Sequence, residues 1–255
     1  MPMILRFATM ATAVALLLPT FAGPVGAAEL RVSGAATVGR GIIIPNQAAI
    51  EQETGLTLNV IVNGDGNGLK DLYAGRSDIA MIAAPMRASE AALNRATPGS
   101  LSIADFQLAS VGSVSIHFVV NPANPVKSLT PSQVHDIFTG KITSWKDVGG
   151  NDAPIVVVAE VPGQGSRTNV EVTFLGGEPI TANARTMQAL VQVVQVVAQV
   201  PTAISYGNGA SITGGVFVIP DIGIEQPLGL ATKGAPSAEA LKLIAAVGKY
   251  GAAFK

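Results

Sequence analysis

The sequence predicts an α/β protein with mostly parallel sheets. Short apolar runs of strand type alternate with longer stretches of helical periodicity, the pattern of strand–helix–strand units. No internal repeat or low-complexity linker breaks that alternation. None of the 255 residues is a cysteine, so no disulfide staples the fold and a hydrophobic core must carry its stability.

Residues 1–28 read as an address. Arg6 supplies a positive start, residues 7–21 are almost unbroken Ala, Val, Leu, Met and Thr, and Pro24-Val25-Gly26-Ala27-Ala28 offers small residues to a peptidase. The apolar core is short for a bilayer span. We therefore expect a signal peptide removed between Ala28 and Glu29, and a mature chain in the periplasm or secreted; a retained N-terminal anchor suits Pro24 and the Gly/Ala run less well. With no cysteine there is no lipobox. Loss of Arg6 takes one of 16 basic residues, leaving 15 against 17 acidic ones, a near-neutral balance that argues against a nucleic-acid partner. The remaining length, about 225 residues, suffices for one large or two modest lobes.

The strand-type runs are Leu30-Arg31-Val32 and residues 56–62, 79–82, 114–120, 155–158 and 216–219, with helical stretches between them. In Thr130-Pro131-Ser132-Gln133 the threonine is placed to cap a helix, proline takes the first helical position and glutamine reaches back as a capping box. Val134, Ile137 and Phe138 then share one face, and Gly140 stands where a left-handed C-terminal residue is expected, so this helix ends near Thr139. Residues 182–200 predict a second helix, with Met187, Leu190, Val191 and Val194 at core spacing and Pro201 as the stop. Its many valines mean that burial must hold it. The valine-rich segment 190–200 is too short and too rich in Gln to cross a membrane.

Catalytic and metal chemistry find little support. The two histidines, His117 in a strand-like run and His135 beside Asp136, have no nucleophile paired with them, and no acid/base set suggests an enzyme. Asn63-x-Asp65-x-Asn67-Gly68 copies the first half of a calcium loop, but its twelfth position is Ala74 where a bidentate glutamate is needed. The same glycine-rich run lacks the spacing of a dinucleotide fingerprint and the terminal Gly-Lys-Ser/Thr of a phosphate loop. Trp145, the single tryptophan, reads as a packing residue. Neither a metal nor a cofactor is expected.

Several motifs, in order, carry a family resemblance over essentially the whole mature chain. They are Ser33-Gly34-Ala35-Ala36-Thr37-Val38, Val62-Asn63-Gly64-Asp65-Gly66-Asn67-Gly68 and Gly75-Arg76-Ser77-Asp78-Ile79-Ala80-Met81. The most specific is Asp136-Ile137-Phe138-Thr139-Gly140-Lys141-Ile142-Thr143-Ser144-Trp145-Lys146-Asp147-Val148-Gly149-Gly150. Gly165-Ser166-Arg167-Thr168, Ala203-Ile204-Ser205-Tyr206 and Pro227-Leu228-Gly229-Leu230-Ala231-Thr232-Lys233-Gly234 follow. The chain resembles the phosphate-binding proteins of ABC transporters. The resemblance implies a two-lobed periplasmic binding protein fold with two hinge crossovers and the ligand in the cleft. Placed on this sequence, lobe one is 29–110 plus 207–255 and lobe two is 111–206, with crossings near 111–115 and 203–206. It also implies a monomer whose partners are a small anion such as phosphate and the membrane subunits of a transporter or another envelope protein.

The resemblance further implies ligand contacts from Ser33, Ala36, Thr37 and Val38, from Asp65, Gly66 and Asn67, and from Ser166, Arg167 and Thr168. Such sites hold a tetrahedral oxyanion on free backbone N–H groups, hydroxyls and an arginine. Here the pattern is altered. Asp65 replaces a donating serine, Ala83 and Ala84 stand where an aspartate and an arginine are expected, and Pro162 takes the place of the clamping arginine. Arg167 replaces a glycine, and either supplies the lost charge or pairs with Asp65 across an empty cleft. Three outcomes stay open: an oxyanion, a different small ligand, or a cleft that binds nothing and serves another role.

Overall fold

The computed structural model describes residues 28–96, 99 and 101–252, so the signal peptide expected over residues 1–28 falls, Ala28 apart, outside the described residues. The chain begins with β1 (Ala28–Gly34) and a short α1 (Ala36–Val38) that winds on into α2 (Gln47–Thr54). There follow β2 (Leu56–Val62), α3 (Asp65–Tyr73), β3 (Ile79–Ile82), α4 (Met86–Ala96) and the long β4 (Phe106–Val120). Next come α5 (Pro131–Phe138), β5 (Val156–Glu160), α6 (Gly165–Asn169), β6 (Arg185–Met187), α7 (Leu190–Gln199) and β7 (Ala203–Asn208). A second long strand, β8 (Phe217–Lys233), and α8 (Ala238–Gly251) complete it.

The eight strands form one sheet in the order β2-β1-β3-β8-β4-β7-β5-β6. Pairing is parallel on both flanks and antiparallel where β8 meets β3 and β4 and where β4 meets β7. Two large apolar clusters divide it. The first joins Val32, Ile42 and Ile79 to Leu228, Leu243 and Val247. The second gathers Ile116, Phe118, Phe138, Trp145, Ile204, Tyr206 and Ile219.

Both crossings between the clusters are made by the paired strands β4 and β8. β4 leaves the first cluster after Val114 and enters the second at Ile116. The return differs from expectation. Residues 203–206 lie in β7, a strand inside the second cluster, whereas β8 passes from Ile222 in that cluster to Leu228 in the first. Residues 217–224, expected in lobe one, therefore pack with lobe two. The cause is the ladder: β8 pairs with β4 from Phe217 opposite Val120 to Lys233 opposite Phe106, with register shifts between His117 and Val119 and between Ser110 and Gly112.

Locally, α5 forms as its sequence dictates. Thr130 Oγ1 accepts the Gln133 N–H, the Thr130 N–H donates to Gln133 Oε1 at 2.8 Å, and Gly140 takes φ +82°. Trp145 is buried, and its Nε1 donates to the Thr202 carbonyl at 2.9 Å. The helix expected over 182–200 starts only at Leu190. Arg185–Met187 instead pairs with Val158–Glu160 as an edge strand, because parallel pairing satisfies backbone groups that periodicity does not reveal. No helix among the described residues is long and apolar enough to cross a membrane.

Candidate functional site between the two lobes

Four loops meet where β4 and β8 cross. Gly64, at φ +90°, turns the chain from β2 into α3 and sets Asp65 as the first helical residue. Gly68 lets α3 come down on β1, since a Cβ there would lie 2.6 Å from the Gly34 Cα. Asp65 is thereby driven inward to 1 % exposure. Its Oδ2 accepts the Ala83 N–H at 2.6 Å, and Oδ1 has no hydrogen-bond partner. Burial pushes this carboxyl up to about 7; the N–H groups of Ala83, Asp65 itself and Gly165 pull the other way without offsetting it.

From lobe two, Gly165 faces the same carboxylate so closely that a Cβ would lie 2.3 Å from Asp65 Oδ1. Beside it the Gly66 N–H donates to the Gly163 carbonyl at 3.2 Å. On β8, the buried Gln226 spans the cleft, with Nε2 donating to the Ala83 carbonyl at 2.7 Å and to Ser166 Oγ at 3.0 Å. The two lobes thus meet through the protein's own groups at the place where the resemblance puts a ligand.

Glu160, at the end of β5, is the second buried acid, 3 % exposed and with Oε2 unpartnered. Burial first, and the Asp65 charge second, push its carboxyl up to about 8. Its N–H donates to the Tyr206 hydroxyl at 3.3 Å and its carbonyl accepts Arg167 Nη1 at 2.8 Å. Arg167 Nε bonds Glu171 at 2.8 Å, so the possible Arg167–Asp65 pair does not form: one helical turn brings Glu171 to the guanidinium first.

The other predicted residues are placed as follows. Ser33 lies next to the end of β1, buried with its hydroxyl unpartnered. Ala36, Thr37 and Val38 form α1, and Val38 is turned into the first core. Asn67 is on the outer side of α3, its Nδ2 bonded to the Asn63 carbonyl. Thr168 is buried in α6. A cavity of about 240 Å³ lies between the lobes, with Thr37 and Arg40 on one wall and Glu160, Leu190, Val191 and Ser211 on the other. A larger hollow of about 590 Å³ runs along Gly112–Ser115 and Glu225, and none of the predicted residues lines it.

Sequence reading missed Glu160, Gln226 and Arg40. Glu160 carried a signal, a lone charge closing an apolar strand just before the turn Pro162-Gly163. The calcium-like loop is not assembled as one: Asp65 turns to Ala83, and Asn63 Nδ2 bonds Asp71 at 2.8 Å. The His135 ring meets two acids, Asp136 at 3.0 Å and Glu178 at 3.3 Å.

Residues 19–248 match the family described as PBP superfamily domain. Among curated proteins, the phosphate-binding protein PstS of Bacillus subtilis (strain 168) is 28% identical over 179 residues, 70% of this chain and 56% of the relative. The chain thus spans about half the length of that relative. Among solved structures, an ABC-type phosphate transport receptor from Vibrio cholerae superposes with TM-score 0.67 at 22% identity, covering 86% of this chain and 93% of that one. A putative phosphate ABC transporter substrate-binding protein with bound phosphate, from Clostridium perfringens, gives 0.70 at 23% identity, covering 86% and 92%. At these identities the superpositions show a shared fold.

Proposed function

The chain belongs to the PBP superfamily of binding-protein domains, and from that premise we propose that it is an extracytoplasmic solute-binding protein that carries a small ligand, of the oxyanion class, to the membrane subunits of an ABC uptake system. The observation that carries this reading is the 240 Å³ cavity whose walls come from both lobes, with β4 and β8 as the connection on which they move. A ligand that contacts both walls binds the closed state better than the open one, and that difference is what a transporter reads. Secretion through the leader at residues 1–28 and action as a monomer belong to the same proposal.

Mass action requires any ligand selective for the folded chain to raise its melting temperature. A screen of phosphate, sulfate, molybdate, phosphonates and small organic acids at millimolar concentration is expected to give such a rise. A screen in which nothing shifts sinks the reading.

A second reading is favoured by the Asp65–Ala83, Gly66–Gly163 and Gln226–Ser166 contacts, which occupy the cleft with the protein's own groups. It makes the chain a sensory or structural partner of another envelope component. Affinity capture from envelope extract that recovers transporter subunits alone counts against it.

A further inference from the structure

The interlobe cavity is lined by a cation with no ion pair among the described residues, an acid with one unpartnered oxygen, and an apolar stretch. Arg40 is exposed on one wall beside Thr37 and makes no ion pair among the described residues. Across the cavity stands Glu160, buried with Oε2 unpartnered. A buried carboxyl with an empty acceptor is costly, and folded chains keep one where something else completes it. Among the described residues the Arg167 N–H and charge favour the carboxylate, yet Oε2 keeps no hydrogen-bond partner. Arg167 is committed to Glu171 and to the Glu160 carbonyl, and the facing Asp65 adds repulsion. A donor carrying positive charge completes Oε2 and stabilises the charged form that burial disfavours, while the complement to Arg40 and Thr37 is an anion. Leu190 and Val191 give an apolar wall suited to a few methylene groups.

We propose, resting on the solute-receptor reading above, that this cavity takes a small zwitterion: a protonated primary amine that donates to Glu160 and, a few carbons away, an oxyanion held by Arg40 and Thr37. A bare oxyanion brings no cationic donor to Glu160 Oε2. An amine without the oxyanion leaves Arg40 unused. Only a molecule with both ends satisfies both walls and draws the lobes together.

Calorimetric titration of the purified chain with 2-aminoethylphosphonate, β-alanine, ethylphosphonate and inorganic phosphate tests this. Ethylphosphonate differs from the first probe only by the amine. At least one amine-bearing probe is expected to bind, and 2-aminoethylphosphonate to bind roughly 10- to 100-fold tighter than ethylphosphonate, the range for a charge-assisted hydrogen bond. Glu160→Gln is expected to collapse that ratio toward one, and Arg40→Gln to weaken every probe. Equal or tighter binding of ethylphosphonate or phosphate, or an unchanged ratio in Glu160→Gln, overturns the proposal and leaves the receptor reading standing. If no probe and no member of the solute screen binds, the receptor reading itself has failed. Should Glu160→Gln not fold, the ratio measured in the unaltered chain decides alone.

Discussion

The Asp65 carboxylate takes the Ala83 N–H at 2.6 Å, so a charge from α3 closes on the backbone that follows β3, inside the contact between lobes. Asp65 thereby puts negative charge where the family resemblance calls for a donor to an anion. Its burial is the larger effect, since desolvation outweighs the N–H groups that favour the charge. Asp65→Asn keeps an oxygen for Ala83 and removes the buried charge. The variant is expected to melt about 4 °C or more above the unaltered chain at pH 8. A lower melting temperature there would show that the charge itself stabilises the contact.

The two buried acids fix the direction of the pH dependence. Their ordinary values are 3.8 for Asp65 and 4.5 for Glu160, and in the fold they are raised to about 7 and about 8. The folded chain therefore holds more protons than the unfolded one between about pH 4 and pH 8, and stability falls as pH rises through that window. Glu160 is faced by Arg167, whose charge opposes the rise, and by Tyr206, which in turn feels Glu171. Thermal melts at pH 5.5, 7.0 and 8.5 should decrease in that order, and Asp65→Asn with Glu160→Gln should remove most of the slope. Melts that increase across the series contradict the assignment.

Gly165 offers a test of the contact from the other lobe. A Cβ there would meet Asp65 Oδ1 at 2.3 Å, so Gly165→Ala must displace the carboxylate or part the lobes. Overpacking of this kind costs about 1–3 kcal/mol. With Asp65→Ala the obstacle is gone, and the double variant should recover at least about 1 kcal/mol relative to the sum of the single ones in denaturant unfolding. Additive costs would mean that the two groups do not meet.

Much of the fold was legible because local chemistry decided it. The Thr130 capping box, the runs 56–62 and 79–82, and burial of Trp145 follow from residues near one another in sequence. The long strands were not. β8 contains Pro220, Gly223 and Pro227, residues that argue against a strand, and the ladders to β4 and, at Gly229, Leu230 and Ala231, to β3 hold it extended. Ser33, Thr37, Asp65 and Ser166 could be placed by motif, yet the partners that define their surroundings could not. Glu160 and Gln226 reach the site through tertiary pairing, and Ala83 contributes its peptide groups, which its side chain does not advertise.

Gln226 joins both lobes from the connecting strand. Fully buried, it donates to the Ala83 carbonyl of lobe one and to Ser166 Oγ of lobe two, while its Oε1 lacks a partner. Gln226→Leu keeps the bulk and severs both bonds, at a cost of about 1–3 kcal/mol for the acceptors left unmet. Because those acceptors face each other across the cleft, the loss should appear as opening as well as instability. Amide exchange is expected to accelerate at Gly66, Ala83 and Thr168 while the core of α5 stays protected. Thr130→Ala supplies the control: loss of that cap costs about 1 kcal/mol, yet it lies far from the cleft in sequence and contact, and should loosen α5 alone. If the two variants loosen the same amides, the effect of Gln226 is general destabilisation, and the latch between lobes is lost as an explanation.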